Sequence, residues 1–500
     1  MMAVCLTAVA QAQYLLETGS PTFATTEPVP MGFINIANGN LHIEIPIANV
    51  PQRGGRPFVA KMIYDSRIWK IVDTGTSLSW QPTNVYGTNP YVPTTPPGWR
   101  FLATDRTAVA LDSVLNQCTY QGNPYNWYQY QNYRFIDTSG TIRRFPLYKE
   151  TTVPCHTAAT GTDAGPALDA AAYWMQPNTN QPGAQEVLAP DGTKEYFKGV
   201  PYGDVIPWKD ANGNYMHREI TNGWVTYDTL NRPVMQITQV GNDEFDYTVQ
   251  TSAGSSTYKV FFTTLATVNT NFGVSGVTEF NGGWYTLQKI QFPDGSLYQF
   301  SYESSPNGHG LLKSMTLPTG EVIQFTHANF TDAQGNRNRW ISTRTSGGGT
   351  QTFTPATCGT NCNKVTVARP SGDETVYTFT LNNGAWNTLT KAYTGSAASG
   401  TLAMTVAYDY DTSLNDPVTG GGAFVRRIRT TTTLPGPSGD LVKKTEGDYD
   451  TFTYSYRGTN YTGSRGNTLA MREFGYGDGS PGALLRQIAM SYLHDADSSY

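Results

Sequence analysis

One short unit recurs along this chain and limits what it can fold into: an apolar or aromatic run, a Pro-x-Gly or Asp-x-x-Gly turn, then a second run ending in aromatics. It appears as FIDTSGTIRRF (135–145), VLAPDGTKEYF (187–197), IQFPDGSLYQFSY (290–302), MTLPTGEVIQF (315–325) and the slightly longer VARPSGDETVYTFT (367–380). Proline presets φ near about −65° at the first turn position, Asp or Ser can bond its own backbone, and glycine accepts positive φ. Each unit therefore reads as a β-hairpin that presents residues such as Tyr196, Phe197, Tyr298, Phe300, Phe325, Tyr377 and Phe379 to its neighbours. The turn glycines are Gly140, Gly192, Gly295, Gly320 and Gly372, separated by 52, 103, 25 and 52 residues, close to multiples of 26. A lone hairpin leaves a face bare whereas stacked hairpins bury it, so the spacing predicts a sheet that grows unit by unit.

Composition agrees. Charged residues make up 15% of the chain, against about 25% in average soluble domains, while Gly reaches 50 and Tyr 31. Helix surfaces need the Glu, Lys, Ala and Leu that are scarce here, and short strands with tight turns do not. The expected fold is all-β: repeated antiparallel hairpins in a curved or spiral sheet, with few helices. Only Pro166 to Met175 and Gly482 to Tyr492 have the small and apolar residues expected of short helices. With 38% hydrophobic residues there is ample apolar surface to fold. The net charge is −5 and Lys and Arg are scattered, which argues against a nucleic-acid partner. No apolar run after the first residues reaches 18, so no membrane span is expected.

The opening MMAVCLTAVAQAQ resembles the end of a secretory signal peptide, with small-x-small cleavage options at Ala8-Val9-Ala10 and Ala10-Gln11-Ala12. It lacks a basic region and is short, so residues 1–12 are read as a truncated leader of a secreted or cell-surface protein. Loss of Cys5 with that leader leaves Cys118, Cys155, Cys358 and Cys362, an even number compatible with two disulfides. Proximity suggests Cys118–Cys155 and Cys358–Cys362, although four cysteines allow three connectivities. The Cys358-Gly-Thr-Asn-Cys362 run lacks the two further ligands that zinc needs. DANGN (210–214) and DAQGN (332–336) superficially look like calcium loops, but their glycine is the fourth residue rather than the sixth; with DTLNRP (228–233) they read as hairpin turns. No cofactor or metal is expected.

These motifs together carry a family resemblance. The segment GFINIANGNLHIEIPIANVPQRGGRPFVAKMIYDS (32–66), the PDG and PTG hairpins, and RQIAMSYLHDADSSY (486–500) resemble the RHS/YD-repeat family, which includes bacterial polymorphic-toxin carriers, toxin-complex cocoon proteins and the teneurin shell. The resemblance implies a long sheet that spirals into a hollow shell closed by plugging segments. In carrier members the shell encloses a C-terminal cargo, released by aspartate-dependent self-cleavage at the core end. The Asp-Pro-x-Gly hallmark of that end has only a loose echo in Asp416-Pro417-Val418-Thr419-Gly420, so neither cargo nor self-cleavage is assigned to these residues. The expected organisation is a leader (1–12), an opening segment (13–60) and a repeat sheet (61–500) that is incomplete at its C-terminus.

One motif tempts a catalytic reading. Ile71-Val72-Asp73-Thr74-Gly75-Thr76-Ser77-Leu78 closely resembles the aspartic-protease signature, whose chemistry needs a second Asp sharing one proton. Asp137-Thr138-Ser139-Gly140 is the nearest partner, but its glycine is displaced by one position, it lies within a repeat hairpin, and no apolar-apolar-Gly element follows either motif. The sequence favours a polar hairpin turn between strands reaching Trp69 and Trp80. No Gly-x-Ser-x-Gly elbow occurs, and His42, His156, His217, His309, His327 and His494 lack metal spacing. Carboxylate pairs for glycoside hydrolysis meet in space and cannot be read from sequence.

The stretch TYQGNPYNWYQYQNY (119–133) holds six Tyr or Trp among Asn and Gln. It reads as a surface or plug loop, and Tyr125, Trp127, Tyr128 and Tyr130 are its candidates for stacking on a ligand. The leading expectation is a non-enzymatic structural shell for toxin encapsulation and delivery or for cell–cell contact. Its partners would be its own C-terminal region or cargo, or a cell-surface glycan or protein. The alternatives are a carbohydrate-binding surface protein and an aspartic protease acting through Asp73.

Overall fold

Turns of one geometry organise the computed structural model, which describes residues 13–73, 75–83, 96–158, 161, 164–177, 185–197, 205–219, 224–252, 254–304, 308–382 and 384–492. In each, the amide of the first residue donates to the carbonyl of the fifth, and the amide of the fourth donates back to the carbonyl of the first. Ala189, Phe292, Leu317 and Arg369 begin such turns, as do Asp137, Asp210, Asp228 and Asp332. The fourth residue has φ between 57° and 89° and is Gly140, Gly192, Gly213, Asn231, Gly295, Gly320, Gly335 or Gly372. This is a type I turn followed by a left-handed residue, a conformation that favours glycine and tolerates asparagine. Where Asp leads, its Oδ1 also accepts the amides two and four residues on, as Asp332 does from Gln334 (2.9 Å) and Asn336 (2.8 Å). DANGN, DTLNRP and DAQGN are thus hairpin turns. The eight turns are 15 to 64 residues apart, so the same geometry also occurs between the multiples of 26 near which five of them fall. The turn chemistry repeats, but the strands it joins vary from 4 to 14 residues.

Apart from a 3₁₀ turn at Gln13–Leu16, the regular structure among the described residues is strand. A five-stranded antiparallel sheet runs in order through Thr26–Val29, Gly32–Asn35, Asn40–Val50, Phe58–Asp65 and Trp99–Ala103. Residue 60, the expected end of the opening segment, lies inside one of its strands. The hairpin Ala108–Tyr120 and Asn123–Ile136 follows, with Ile142–Phe145 and Lys149–Glu150 along its outer side. A 25-stranded antiparallel sheet then runs from Gly165–Pro166 to Leu484–Ala489, nearly every strand pairing with its neighbour in sequence. Two elements leave this path: Val277–Thr278 pairs in parallel with Leu78–Pro82, and Phe452–Tyr456 forms its own hairpin with Thr459–Gly463.

Neither expected helix forms. Pro166 pairs with Trp174, and Ala170 and Ala172 hold φ of 55° and 57°, which a right-handed helix excludes. Trp174 and Met175 instead join the sheet opposite Leu188 and Val187. Leu484–Ala489 pairs with Thr468–Phe474, where the sheet satisfies its backbone directly. In both places cross-strand pairing overrides a local preference.

The main core lies between the two larger sheets. Ile34, Leu41, Ile43, Ile45, Phe58, Met62, Tyr64 and Trp99 of the N-terminal sheet share one buried cluster with Tyr247, Val260, Ile290, Met315, Ile323, Phe325, Trp340, Val365 and Phe379 of the long sheet. Fully burying a side chain of this kind contributes roughly 1.5–3 kcal/mol. The N-terminal sheet therefore covers one face of the central strands of the long sheet.

Candidate functional site

Polar bonds fasten the cover to the sheet. Tyr14 donates to Asp332 (2.5 Å), the Trp99 indole to the Tyr302 hydroxyl (2.7 Å), and the Leu312 amide to the Tyr64 hydroxyl (2.8 Å). Buried Glu27 accepts from Arg369 (2.5 Å), Tyr377 (2.6 Å) and Gln351 (3.3 Å). At the root of the cover Asp65 gathers the Gly19 amide (3.1 Å), the Asn40 amide group (2.6 Å), His42 Nδ1 (2.9 Å) and the Arg100 guanidinium. A His–Asp pair resembles part of a catalytic triad, but here both ring nitrogens face carboxylates, Asp65 and Glu44, and the imidazole is fully buried. Burial lowers the His42 pKa, partly offset by Glu44. The arrangement ties strands together.

A second cluster joins Glu303, His309, His327 and Arg339. Glu303 accepts from His327 Nδ1 (3.1 Å) and Arg339 (3.2 Å), while the Asn271 amide donates to His309 Nε2 (3.2 Å). Burial alone would raise the Glu303 carboxyl, but the His327 hydrogen bond and the charges of His327, Arg339 and His309 outweigh it and hold it at about 2. Burial, reinforced by Arg339, pushes His309 down to about 4. Among the described residues no set of three or more His, Cys, Asp or Glu is arranged to hold a metal ion. Neither cluster has a sequence signature, because its members come from separate strands and loops.

Asp73 ends the strand Trp69–Asp73 at an exposed tip, where its carboxylate accepts the Gly75 amide (2.8 Å). Trp69 and Trp80 are buried below it, with Phe272 stacked 3.8 Å from Trp80. Asp137 lies in a different sheet's turn, its Oδ1 taken by the amides of Ser139 and Thr141 and its Oδ2 by Arg143 (2.9 Å). Among the described residues no hydrogen bond or ion pair joins the two carboxylates. A solvated carboxylate at a hairpin tip lacks the enclosed setting in which two acids share a proton. Asp416, in the Asp-Pro-x-x-Gly echo, is buried and satisfied by Arg144 (3.2 Å), Thr419 (2.9 Å) and the Val418 amide (2.8 Å). It lines a cavity of about 110 Å³ with Glu17, Asp169 and Trp386, smaller than the ~300–1,000 Å³ of usual ligand pockets. Burial and then the Asp169 charge raise Glu17 to about 7.

The aromatic stretch expected as a loop is instead the returning strand of the long hairpin. Gln121 and Gly122, at φ 49° and 81°, make the two-residue turn that this twist prefers. The stretch resembled a loop because neither face is fully buried, so the apolar alternation of a core strand is absent. Register separates the four candidates. Tyr125 and Trp127, opposite Cys118 and Asn116, share one face; Tyr128 and Tyr130, opposite Leu115 and Ser113, share the other. The segment 149–158 lies along the hairpin, with Cys155 bonded to Cys118 and His156 stacked 3.6 Å from Trp127. The second disulfide joins Cys358 to Cys362. Closing the 37-residue separation between Cys118 and Cys155 adds about 4 kcal/mol on the chain-entropy view.

Residues 1–12, expected to be a leader and including Cys5, and His494 lie outside the described residues. No helix among the described residues is long and apolar enough to cross a membrane.

No family model and no curated protein matches the chain. Among solved structures it is similar to TcdB2-TccC3 without its hypervariable C-terminal region, at 9% identity and a TM-score of 0.30. The similarity covers 92% of this chain and spans 27% of that one.

Proposed function

We propose that this chain is a non-enzymatic wall segment of a β-sheet shell, in a secreted or cell-surface protein that carries a cargo or makes cell–cell contact. The observation that supports this most is the single core joining the N-terminal sheet to one face of a long open sheet built strand after strand. Such a sheet grows by addition of neighbours, and the chain's own first residues cover the part that would otherwise expose apolar surface. Two disulfides suit an oxidising, extracellular setting. The buried polar clusters around Asp65 and Glu303 bond residues of separate strands to one another, as structural ties do, and among the described residues the Asp73 carboxylate is bonded to the Gly75 amide and to no second carboxylate.

Electron cryomicroscopy of the purified chain tests the reading. The expected particle is one body with the N-terminal sheet seated on the long sheet. Separate bodies joined by flexible linkers would overturn it. Turnover of a protein, ester or glycoside panel, abolished by Asp73→Asn or Glu17→Gln, would overturn the non-enzymatic part.

A further inference from the structure

The hairpin Ala108–Tyr120 and Asn123–Ile136 carries a surface that the shell does not use. One face of its outer half is occupied by the disulfide strap, through Cys155 on Cys118 and His156 on Trp127. The opposite face is open: Leu115 is 56% and Tyr128 40% exposed. Tyr128 and Tyr130 stand side by side there, with ring centroids 6.1 Å apart and planes within 23°. Ser113, Gln117 and Asn126 lie on the same face by register, and Gln117 donates to Asn126 at 3.3 Å. We propose that this face binds a neutral oligosaccharide.

The side chains decide the ligand class. Between Ser113 and Thr119 on one strand and Pro124 and Tyr130 on the other, that face has no charge; Lys149, opposite Tyr130, stands at its inner end. Aromatic rings meet the C–H face of a pyranose, and the free ends of the Gln117–Asn126 pair supply an acceptor and a donor for hydroxyl groups. The face is too small for a protein partner. Two strands about 4.8 Å apart and ~20 Å of strand length give on the order of 200 Å², against ~800 Å² per partner in a standard protein interface. It is also held in place before binding: the Thr151 hydroxyl accepts the Tyr128 amide (2.8 Å), and the Thr151 amide donates to the Tyr128 carbonyl (3.0 Å). A pre-ordered face loses less entropy on binding, which lets a small contact hold a ligand.

The test is calorimetric titration of cellohexaose, laminarihexaose and chitohexaose into the intact, disulfide-bonded chain. At least one should bind, and Tyr128→Ala and Tyr130→Ala should each weaken it about tenfold or more, a loss of ~1.4 kcal/mol. Tyr128→Phe keeps the ring and should bind nearly as the parent does. Tyr120→Ala removes an exposed ring on the strapped face and should leave binding unchanged. Absence of binding by all three sugars at millimolar concentration would overturn the proposal. So would equal losses from Tyr120→Ala and Tyr128→Ala, which would indicate nonspecific aromatic contact. None of these outcomes bears on the shell reading, because the long sheet and its cover are untouched.

Discussion

Two stretches of the long sheet share backbone pairing but differ in what they face. In the central stretch, Phe245, Val260, Ile290 and Tyr298 stand directly opposite one another on successive strands, and all are buried. Phe300, Met315 and Ile323 form a similar buried row. Farther on, the row Val365, Tyr377, Thr390, Val406, Thr432 and Lys443 begins buried and ends exposed. Beyond it, Asp409, Arg429, Glu446 and Arg472 form a cross-strand ladder of alternating charge. The difference shows that the hydrogen-bonded ladder sets the sheet's continuity, while side chains set whether a face needs a cover. Where the N-terminal sheet ends, the chain changes from aliphatic and aromatic residues to Thr, Lys, Arg and Glu.

The sharpest way to break this contrast is to truncate a large side chain in each stretch. Trp340→Ala, at a ring only 2% exposed, should cost about 3–5 kcal/mol, whereas Leu485→Ala, at 72% exposure on the last strand, should stay within about 0.5 kcal/mol. Equal shifts in urea midpoint would mean that the cover does not protect the central strands. Glu27→Ala removes the acceptor shared by Arg369, Tyr377 and Gln351. With Arg369 partly exposed, a loss of roughly 1–3 kcal/mol is expected, with faster hydrogen exchange in Thr26–Val29.

A pH series sharpens the contrast from the electrostatic side. Burial raises Glu195 to about 8, partly countered by its bond from Thr107. Between about pH 4.5 and 8 the folded chain then keeps a proton that the unfolded chain releases, so this group's stabilising contribution is lost as pH rises. Glu195→Gln should flatten that decline; an unchanged slope would remove Glu195 as its source. Glu303, held at about 2, acts oppositely: its contribution is lost as pH falls from about 4.5 through 2. The smallest effect belongs to the charge ladder, where Arg429→Ala should cost less than about 1 kcal/mol and matter less in high salt, as exposed pairs do. A loss of several kcal/mol there would show that the outer strands rely on ion pairs rather than backbone pairing.

How much was legible depended on the range of the interactions. The turns at Gly192, Gly295, Gly320 and Gly372 could be read because Pro, Asp and Gly act over five consecutive residues. The uneven spacing of the full set of eight could not, because strand length answers to whichever neighbour each strand meets. Ala170 and Ala172 suggested helix locally, yet pairing of Trp174 with Leu188 decided otherwise. The aromatic stretch looked like a loop because its polar residues alternate with rings on both faces. Only register revealed that Trp127 lies under the strap while Tyr128 stands in the open. The clusters around Asp65 and Glu303 left no pattern at all, since residues as distant as His42 and Arg100 meet only after the strands pair.

By itself, then, the sequence determined an all-β chain of tight-turned antiparallel hairpins, because low charge, β-favouring residues and turn chemistry act locally. Which face of the long sheet is covered, which rings remain exposed and which carboxylates become buried were decided only by the tertiary structure. Those outcomes depend on the N-terminal sheet docking against strands up to some 350 residues away, as Glu27 does against Tyr377 at a separation of 350, and no local preference encodes that contact.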